Sequence, residues 1–260
     1  MNILDQLADH ARQRVAAAKS IRPTAELKRE ALKLPKGDFP FERALSGERL
    51  AFICECKKAS PSRGLIAPDF PYLDIAKDYE AAGAEAISVL TEPRWFLGRD
   101  DYLREIAARV SVPCLRKDFT VDEYMLYEAK LLGASAALLI AAILDKALLA
   151  DYIDICDALG LSALVEAHDA AEAEMALKAG ARLVGVNNRN LKDFTVDTGN
   201  SRRLRAIIPP EVLFVSESGV KDAADVAAAR EMGADAVLVG EALMRAADKR
   251  ARLAELRGDA

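Results

Sequence analysis

The stretch LLGASAALLI (residues 131–140) decides how this chain is read. A helix-like run ends at Gly133, Gly-Ala follows, and a short uncharged apolar segment comes next. The same pattern recurs in AAGAEAISVL (81–90), KAGARLVGV (178–186) and EMGADAVLVG (231–240). Glycine just past a helix supplies a left-handed cap, and the apolar run after it reads as a strand buried on both faces. The four glycines, Gly83, Gly133, Gly180 and Gly233, recur about every 50 residues, which marks a repeat architecture.

That interval is twice the length of one strand–helix unit, so a second strand belongs inside each repeat. AFICECK (51–57), VPCLRKD (112–118), LSALVEA (161–167) and VLFVSES (212–218) fill the places. Eight strands result, each followed by a helical pattern such as DEYMLYEAKLLG (122–133). Alternating units of this number close most simply as an α/β fold of the (β/α)8 TIM-barrel type. The alternative, an open doubly wound sheet, would carry a G-x-G-x-x-G after the first strand, and none is present. The first 48 residues fall outside the count. They read as a helix over about 3–19, a break at IRPT, a second short helix and the turn-rich LPKGDFPFERALSGE. We expect an N-terminal helical extension (1–48) packed on a barrel that begins near residue 50, with 1–260 forming one domain.

Composition narrows the function. The 260 residues are 52% hydrophobic, with 36 Lys+Arg against 41 Asp+Glu and a net charge of −5. This balance argues against bulk electrostatic binding to nucleic acid or anionic lipid. The longest apolar run, ASAALLIAAIL (134–144), is too short to span a bilayer. The charged, amphipathic start is unlike a signal peptide, so a cytoplasmic location is expected. Cys54, Cys56, Cys114 and Cys156 form no C-x-x-C pair, and the two histidines, His10 and His168, lie far apart in sequence. Neither a disulfide framework nor a metal site is expected.

In such barrels the catalytic groups come from the carboxyl ends of the strands. Here those ends offer Glu55 and Lys57, Thr91 and Glu92, Lys117 and Asp118, Glu166, Asn187 and Arg189, Ser216 to Ser218, and Gly240 with Glu241. The fourth strand offers only Leu138 to Ile140, and the opposite strand ends carry almost no charge. Strand alternation puts Ile53, Glu55 and Lys57 on one face and Cys54 and Cys56 on the other. If the charged pair points inward, the cysteines pack as small hydrophobes under the helices. Two lysines and two glutamates at one mouth suit acid–base chemistry, because such a cluster shifts proton affinities both ways. A ring of compensating ion pairs closing the barrel would use the same residues, and spacing alone does not choose between the two. The glycines after strands seven and eight, in SESGV and LVGEAL, suit a phosphate seat. His168 reads as a helix-cap or supporting group, and His10 as solvent-facing or structural.

The residues also resemble a known family, the indole-3-glycerol phosphate synthases of tryptophan biosynthesis. ECKKASPSRG, LTEPRWFLG, PCLRKDFTVDEYMLYEAKLLGASAALLI, LVEAHD, VGVNNRNLKDFTVD, VSESGV and ADAVLVGEALMR carry the likeness, which extends to ILDQLADHARQRV at the N-terminus. It implies a carboxy-lyase that cyclises 1-(2-carboxyphenylamino)-1-deoxyribulose 5-phosphate, loses CO2 and then water, and releases indole-3-glycerol phosphate without a cofactor. By this resemblance Lys117 is the general acid of ring closure and Glu166 an acid/base partner in later proton removal. Glu55 and Lys57 serve the dehydration, with Asn187 and Ser218 completing the catalytic set. Ser60 and Arg189 are placed for anion contacts, and Gly219, Leu238, Gly240 and Glu241 lie around the phosphate. Phe96, Phe119 and Leu138 form the apolar wall for the anthranilate ring. Buried lysines suit this work, since desolvation lowers their pKa.

The implied partner is a phosphorylated small molecule, not nucleic acid or membrane, and a monomer is expected, with a weak dimer as the alternative. Three other readings remain. A phosphoribosylanthranilate isomerase-like barrel would use a Cys/Asp pair, but the first strand ends in Glu-x-Lys. A Schiff-base aldolase would use Lys117 as nucleophile. A non-catalytic phosphate-binding barrel would have no need of both lysines and both glutamates at one mouth.

Overall fold

The computed structural model describes residues 2–190 and 193–258. Eight parallel strands form a closed barrel: β1 (Ala51–Cys56), β2 (Ala86–Leu90), β3 (Cys114–Lys117), β4 (Ala136–Ile140), β5 (Ser162–Ala167), β6 (Leu183–Asn187), β7 (Leu213–Glu217) and β8 (Ala236–Val239). Each strand pairs with its sequence neighbours, and β8 closes on β1 with Ala51 opposite Ala236 and Cys54 opposite Val239. The four repeated glycines all have positive φ, as left-handed caps require. The expected eight strands and their (β/α)8 closure are therefore present.

Alternation divides each strand between two apolar layers. Phe52, Cys54, Cys56, Ile87, Val89, Leu139, Val165 and Val237 pack in the layer shared with the surrounding helices. Ala51, Ile53, Leu115, Leu138, Leu164, Leu183, Val215 and Leu238 fill the barrel interior. The cysteines are buried in the outer layer, where desolvation raises their thiols and keeps them protonated. Their reading as small hydrophobes agrees with this placement.

The N-terminal segment holds one helix more than its sequence suggests. Helix α1 (Ile3–Ile21) starts on a capping box between Asn2 and Asp5 and buries Leu4, Leu7, Ala8, Ala11 and Val15. Helix α2 (Thr24–Ala31) follows as expected. Within the stretch read as turns lies α3 (Pro40–Leu45), six residues long. Six residues are too few to show a helical period, and its signature is Pro40 in the first turn after Phe39 at φ 54°. Phe41 and Leu45 are fully buried in the same apolar cluster as the barrel interior. Among the described residues no helix is long and apolar enough to cross a membrane.

Candidate active site

At the carboxyl ends of the strands the barrel opens into a cleft of about 830 Å³. Register explains which side chains reach it. Lys117 pairs with Leu90 across to β2, Glu166 lies opposite Ile140 and Gly185, and Glu217 lies opposite Asn187 and Leu238. These residues are the last inward-facing positions of their strands, one layer above the apolar filling.

Lys117 is the centre of the cluster. Its Nζ donates to Glu166 Oε2 at 2.8 Å and to Glu217 Oε2 at 2.9 Å. Glu166 Oε1 accepts from Asn187 Nδ2 at 3.1 Å and lies 3.3 Å from His168 Nε2. Asn187 is oriented by its own Oδ1, which accepts the Arg189 backbone N–H at 3.0 Å. His168 Nδ1 sits 3.1 Å from Glu172 Oε2, so it acts as a supporting group, in line with its sequence reading. Across the barrel, Lys57 Nζ donates to Glu55 Oε1, and both side chains line the same cleft.

Charge placement sets the proton affinities. Burial alone would lower the Lys117 ammonium, but Glu166, Glu217 and Glu55 outweigh it and raise its pKa above the ordinary lysine value. The expectation that desolvation lowers this lysine is thus reversed by three carboxylates. Burial alone would raise Glu166, yet Lys117 and His168 hold it down to about 2. For Glu217 burial prevails, helped by the negative Glu166, and its carboxyl is pushed up to about 7. The trio therefore holds a cation, a firm carboxylate and a carboxyl whose proton affinity is raised.

Glycines make the room. A Cβ on Gly185 would fall 2.1 Å from Glu217 Oε1, and one on Gly240 would fall 2.5 Å from Glu55 Oε1 and 2.9 Å from Lys57 Nζ. Only a hydrogen at these two positions lets the carboxylates pack against the backbone.

The cleft has an apolar wall and a cationic corner. Phe96 and Phe119 stand with ring centroids 6.0 Å apart, and Leu90, Leu138 and Ile140 continue the surface. Ile3 and Leu7 of α1 also line the cleft, so the extension reaches the active-site rim. Ser60, Arg189, Ser218, Gly219, Leu238, Gly240 and Glu241 surround the opposite corner. Arg63 and Arg245 pair with Glu241, each through Nε at 3.0 Å. Arg189 Nη1 donates to the Phe194 carbonyl at 3.2 Å, and burial together with Arg63 lowers its pKa. Trp95 packs edge-on against His10, 5.4 Å between ring centres.

All fifteen residues to which the resemblance assigns a catalytic or binding role line this one cleft, whereas Thr91, Glu92 and Ser216, also named at strand ends, do not. Three to which the sequence analysis gave no role also belong to it or hold it in shape. Glu217 shares an inward face with Val215, which strand alternation could have shown. Arg63 sits in the first loop, which folds into a small antiparallel ribbon, Ala59–Ser60 against Gly64–Leu65. Asn188 is buried, and its Nδ2 donates to the Ser218 carbonyl at 3.0 Å. That bond supports Ser218 in a left-handed conformation, φ 65°, which is uncommon for a residue with a Cβ. Leu191 and Lys192, part of the VGVNNRNLKDFTVD motif, lie outside the described residues.

Fold and site together define a (β/α)8-barrel enzyme with an acid–base cluster at its catalytic end, facing an apolar wall and an arginine-rich corner. The sequence profile of indole-3-glycerol phosphate synthase matches residues 4–256. A protein named indole-3-glycerol phosphate synthase from Ruminiclostridium cellulolyticum is 57% identical over 259 residues, spanning 99% of this chain and 100% of that protein. One of the same name from Leuconostoc mesenteroides is 49% identical over 260 residues, with 99% of each chain covered. The chain belongs to the indole-3-glycerol phosphate synthase family, decarboxylating lyases of tryptophan biosynthesis. Among solved structures, a 3-hexulose-6-phosphate synthase superposes with a TM-score of 0.64 over 80% of this chain and 99% of that one. At 18% identity it speaks for the fold alone.

Proposed function

We propose that the cluster around Lys117 performs ring closure, decarboxylation and dehydration of 1-(2-carboxyphenylamino)-1-deoxyribulose 5-phosphate to indole-3-glycerol phosphate. The observation that carries this reading is Lys117 Nζ, held between Glu166 at 2.8 Å and Glu217 at 2.9 Å in the cleft that also bears the Phe96–Phe119 wall. The aryl ring lies on that wall and the phosphate occupies the arginine corner near Gly219 and Gly240. Lys117 donates a proton to the ribulose ketone as the carboxyl-bearing ring carbon attacks it, giving an alcohol. Loss of CO2 returns the bonding electrons to the ring and restores its aromaticity. Glu166 then removes the proton from the carbon next to nitrogen, and the hydroxyl leaves as water with a proton from the Glu55–Lys57 pair. Asn187 orients Glu166 and, with Ser218, completes the catalytic set; Ser60 and Arg189 make the anion contacts, and Glu217 holds Lys117 in place.

A raised pKa keeps Lys117 protonated, which disfavours a Schiff-base nucleophile. The same reading has residues 1–260 acting as one domain and as a monomer in the cytoplasm. Four unpaired cysteines support the compartment. The deciding experiment is an assay of the purified chain on the carboxyphenylamino-deoxyribulose phosphate, followed by indole fluorescence without added metal or cofactor. Steady turnover is expected, and a silent enzyme would sink the assignment.

A further inference from the structure

We propose that His10 and Arg14 are positioning residues that set the spacing of the aromatic wall, each acting through one buried carboxylate. The inference rests on the reaction proposed above and adds a specificity element that lies outside the strand ends. His10 and Arg14 are four residues apart on α1 and so share one helix face. His10 Nδ1 lies 3.1 Å from Glu92 Oε1. Glu92, fully buried just past β2, accepts the backbone N–H groups of Arg94 (2.9 Å), Trp95 (2.7 Å) and Phe96 (3.0 Å). Arg14 grips Asp118, directly after β3, with both terminal guanidinium nitrogens, Nη2 to Oδ1 at 2.6 Å and Nη1 to Oδ2 at 3.1 Å. Asp118 Oδ1 in turn accepts the Phe119 N–H at 2.8 Å.

The backbone amides of Phe96 and Phe119 are therefore both held by carboxylates that α1 touches from outside. Thr91 Oγ1, donating to Asp118 Oδ2 at 2.6 Å, joins the two loops. Arg116 Nη2 stands 3.9 Å from Asp118 Oδ2 but is hydrogen-bonded to Asp100 and Glu128, so Arg14 supplies the guanidinium hydrogen bonds to Asp118. A buried carboxylate that loses its partner on α1 turns towards its other donors and moves the amide it holds. The bidentate arginine pair also fixes direction as well as distance. Docking of α1 does not depend on this pair, because its apolar stripe from Leu4 to Val15 already packs on the barrel. The polar pair is thus free to act on the loops, and a wall displaced by a fraction of an ångström meets the aryl ring badly.

The test uses the full chain with Arg14→Ala, Arg14→Lys and His10→Ala. Steady-state kinetics on the phosphorylated substrate are paired with two inhibitors, anthranilate for the wall and glycerol 3-phosphate for the arginine corner. Arg14→Ala should raise KM about tenfold and weaken anthranilate in parallel, with kcat within about twofold and glycerol 3-phosphate unaffected. Arg14→Lys should recover most of the KM. Trp95 is the sole tryptophan of the chain, so His10→Ala should shift the emission of the unliganded protein. Unchanged KM in Arg14→Ala would overturn the proposal, as would equal weakening of both inhibitors, which signals general loosening. If Arg14→Ala does not fold, Arg14→Gln takes its place with the same two inhibitors, and the same results support or overturn the proposal. A wild-type enzyme without turnover would instead remove the reaction assignment, a separate outcome.

Discussion

The two ends of this barrel are closed by opposite chemistry. At the amino ends of the strands, Phe41 and Leu45 of α3 sit fully buried in one cluster with Ala51, Leu183 and Ala236. The plug is held from its rim, where Arg182 bonds both carboxylate oxygens of Glu42 at 3.1 Å. At the carboxyl ends, Glu55, Glu166 and Glu217 are just as buried, yet they face a cleft and share two lysines. Buried charge stabilises a fold poorly compared with apolar packing of the same volume. An end built from costly paired charge around an open cleft is thus organised for chemistry, while the apolar end is organised for stability.

The largest effect that would sharpen this contrast comes from Lys117→Ala. Removing the proposed acid of ring closure should lower turnover by up to about 10⁴-fold, ~5.5 kcal/mol in the barrier. The space left by the side chain opens to the cleft, so solvent and protons can reach Glu166 and Glu217 and the barrel should persist. Indole fluorescence and circular dichroism measure the two halves of the claim. Near-normal turnover would mean that the charged end is only an ion-pair closure.

The mirror experiment acts at the other end. Phe41→Ala should cost about 3–5 kcal/mol of stability, since it empties an aromatic volume from a closed apolar cluster. Urea unfolding would show the loss. The specific activity of the folded fraction should stay near that of the parent, because no atom of Phe41 lines the cleft. A variant that keeps its stability and loses activity would break the division between the two ends.

How much of this division was legible in sequence follows from periodicity. Strands were readable because a two-residue alternation separates Glu55 and Lys57 from Cys54 and Cys56 whatever the neighbours are. The same rule separates Arg116 from Lys117. Arg116 is the more deeply buried of the two, and it points into the helix layer, where Asp100 and Glu128 neutralise it. Glu217 was legible as a strand-end residue but received no role, because its pairing with Lys117 joins two strands far apart in sequence. Helix α3 and the Asn188 support of Ser218 were not legible. Their cause is tertiary: burial of two side chains in one case, and a hydrogen bond between separate strand ends in the other. The direction of the Lys117 shift also needed coordinates, since it depends on how many carboxylates surround one ammonium.

The smallest expected effect is a change of slope, and it tests whether proton linkage belongs to the charged end alone. Glu217 has a folded-state pKa of about 7 against an ordinary 4.5. Between these values the folded chain keeps a proton that the unfolded chain has released, so the contribution to stability falls as pH rises through that window. Glu166 runs the other way: held near 2, it contributes stability above its ordinary pKa that is lost only as the solution becomes strongly acidic. Glu217→Gln removes the first group and leaves the second. Relative to the parent, its urea midpoint should therefore be more favourable at pH 8 than at pH 5. Phe41→Ala, which empties volume from an apolar cluster, should shift both midpoints equally. If Glu217→Gln also shifts them equally, the carboxyl is not holding a proton near neutrality, and the pairing around Lys117 must be two carboxylates on one cation.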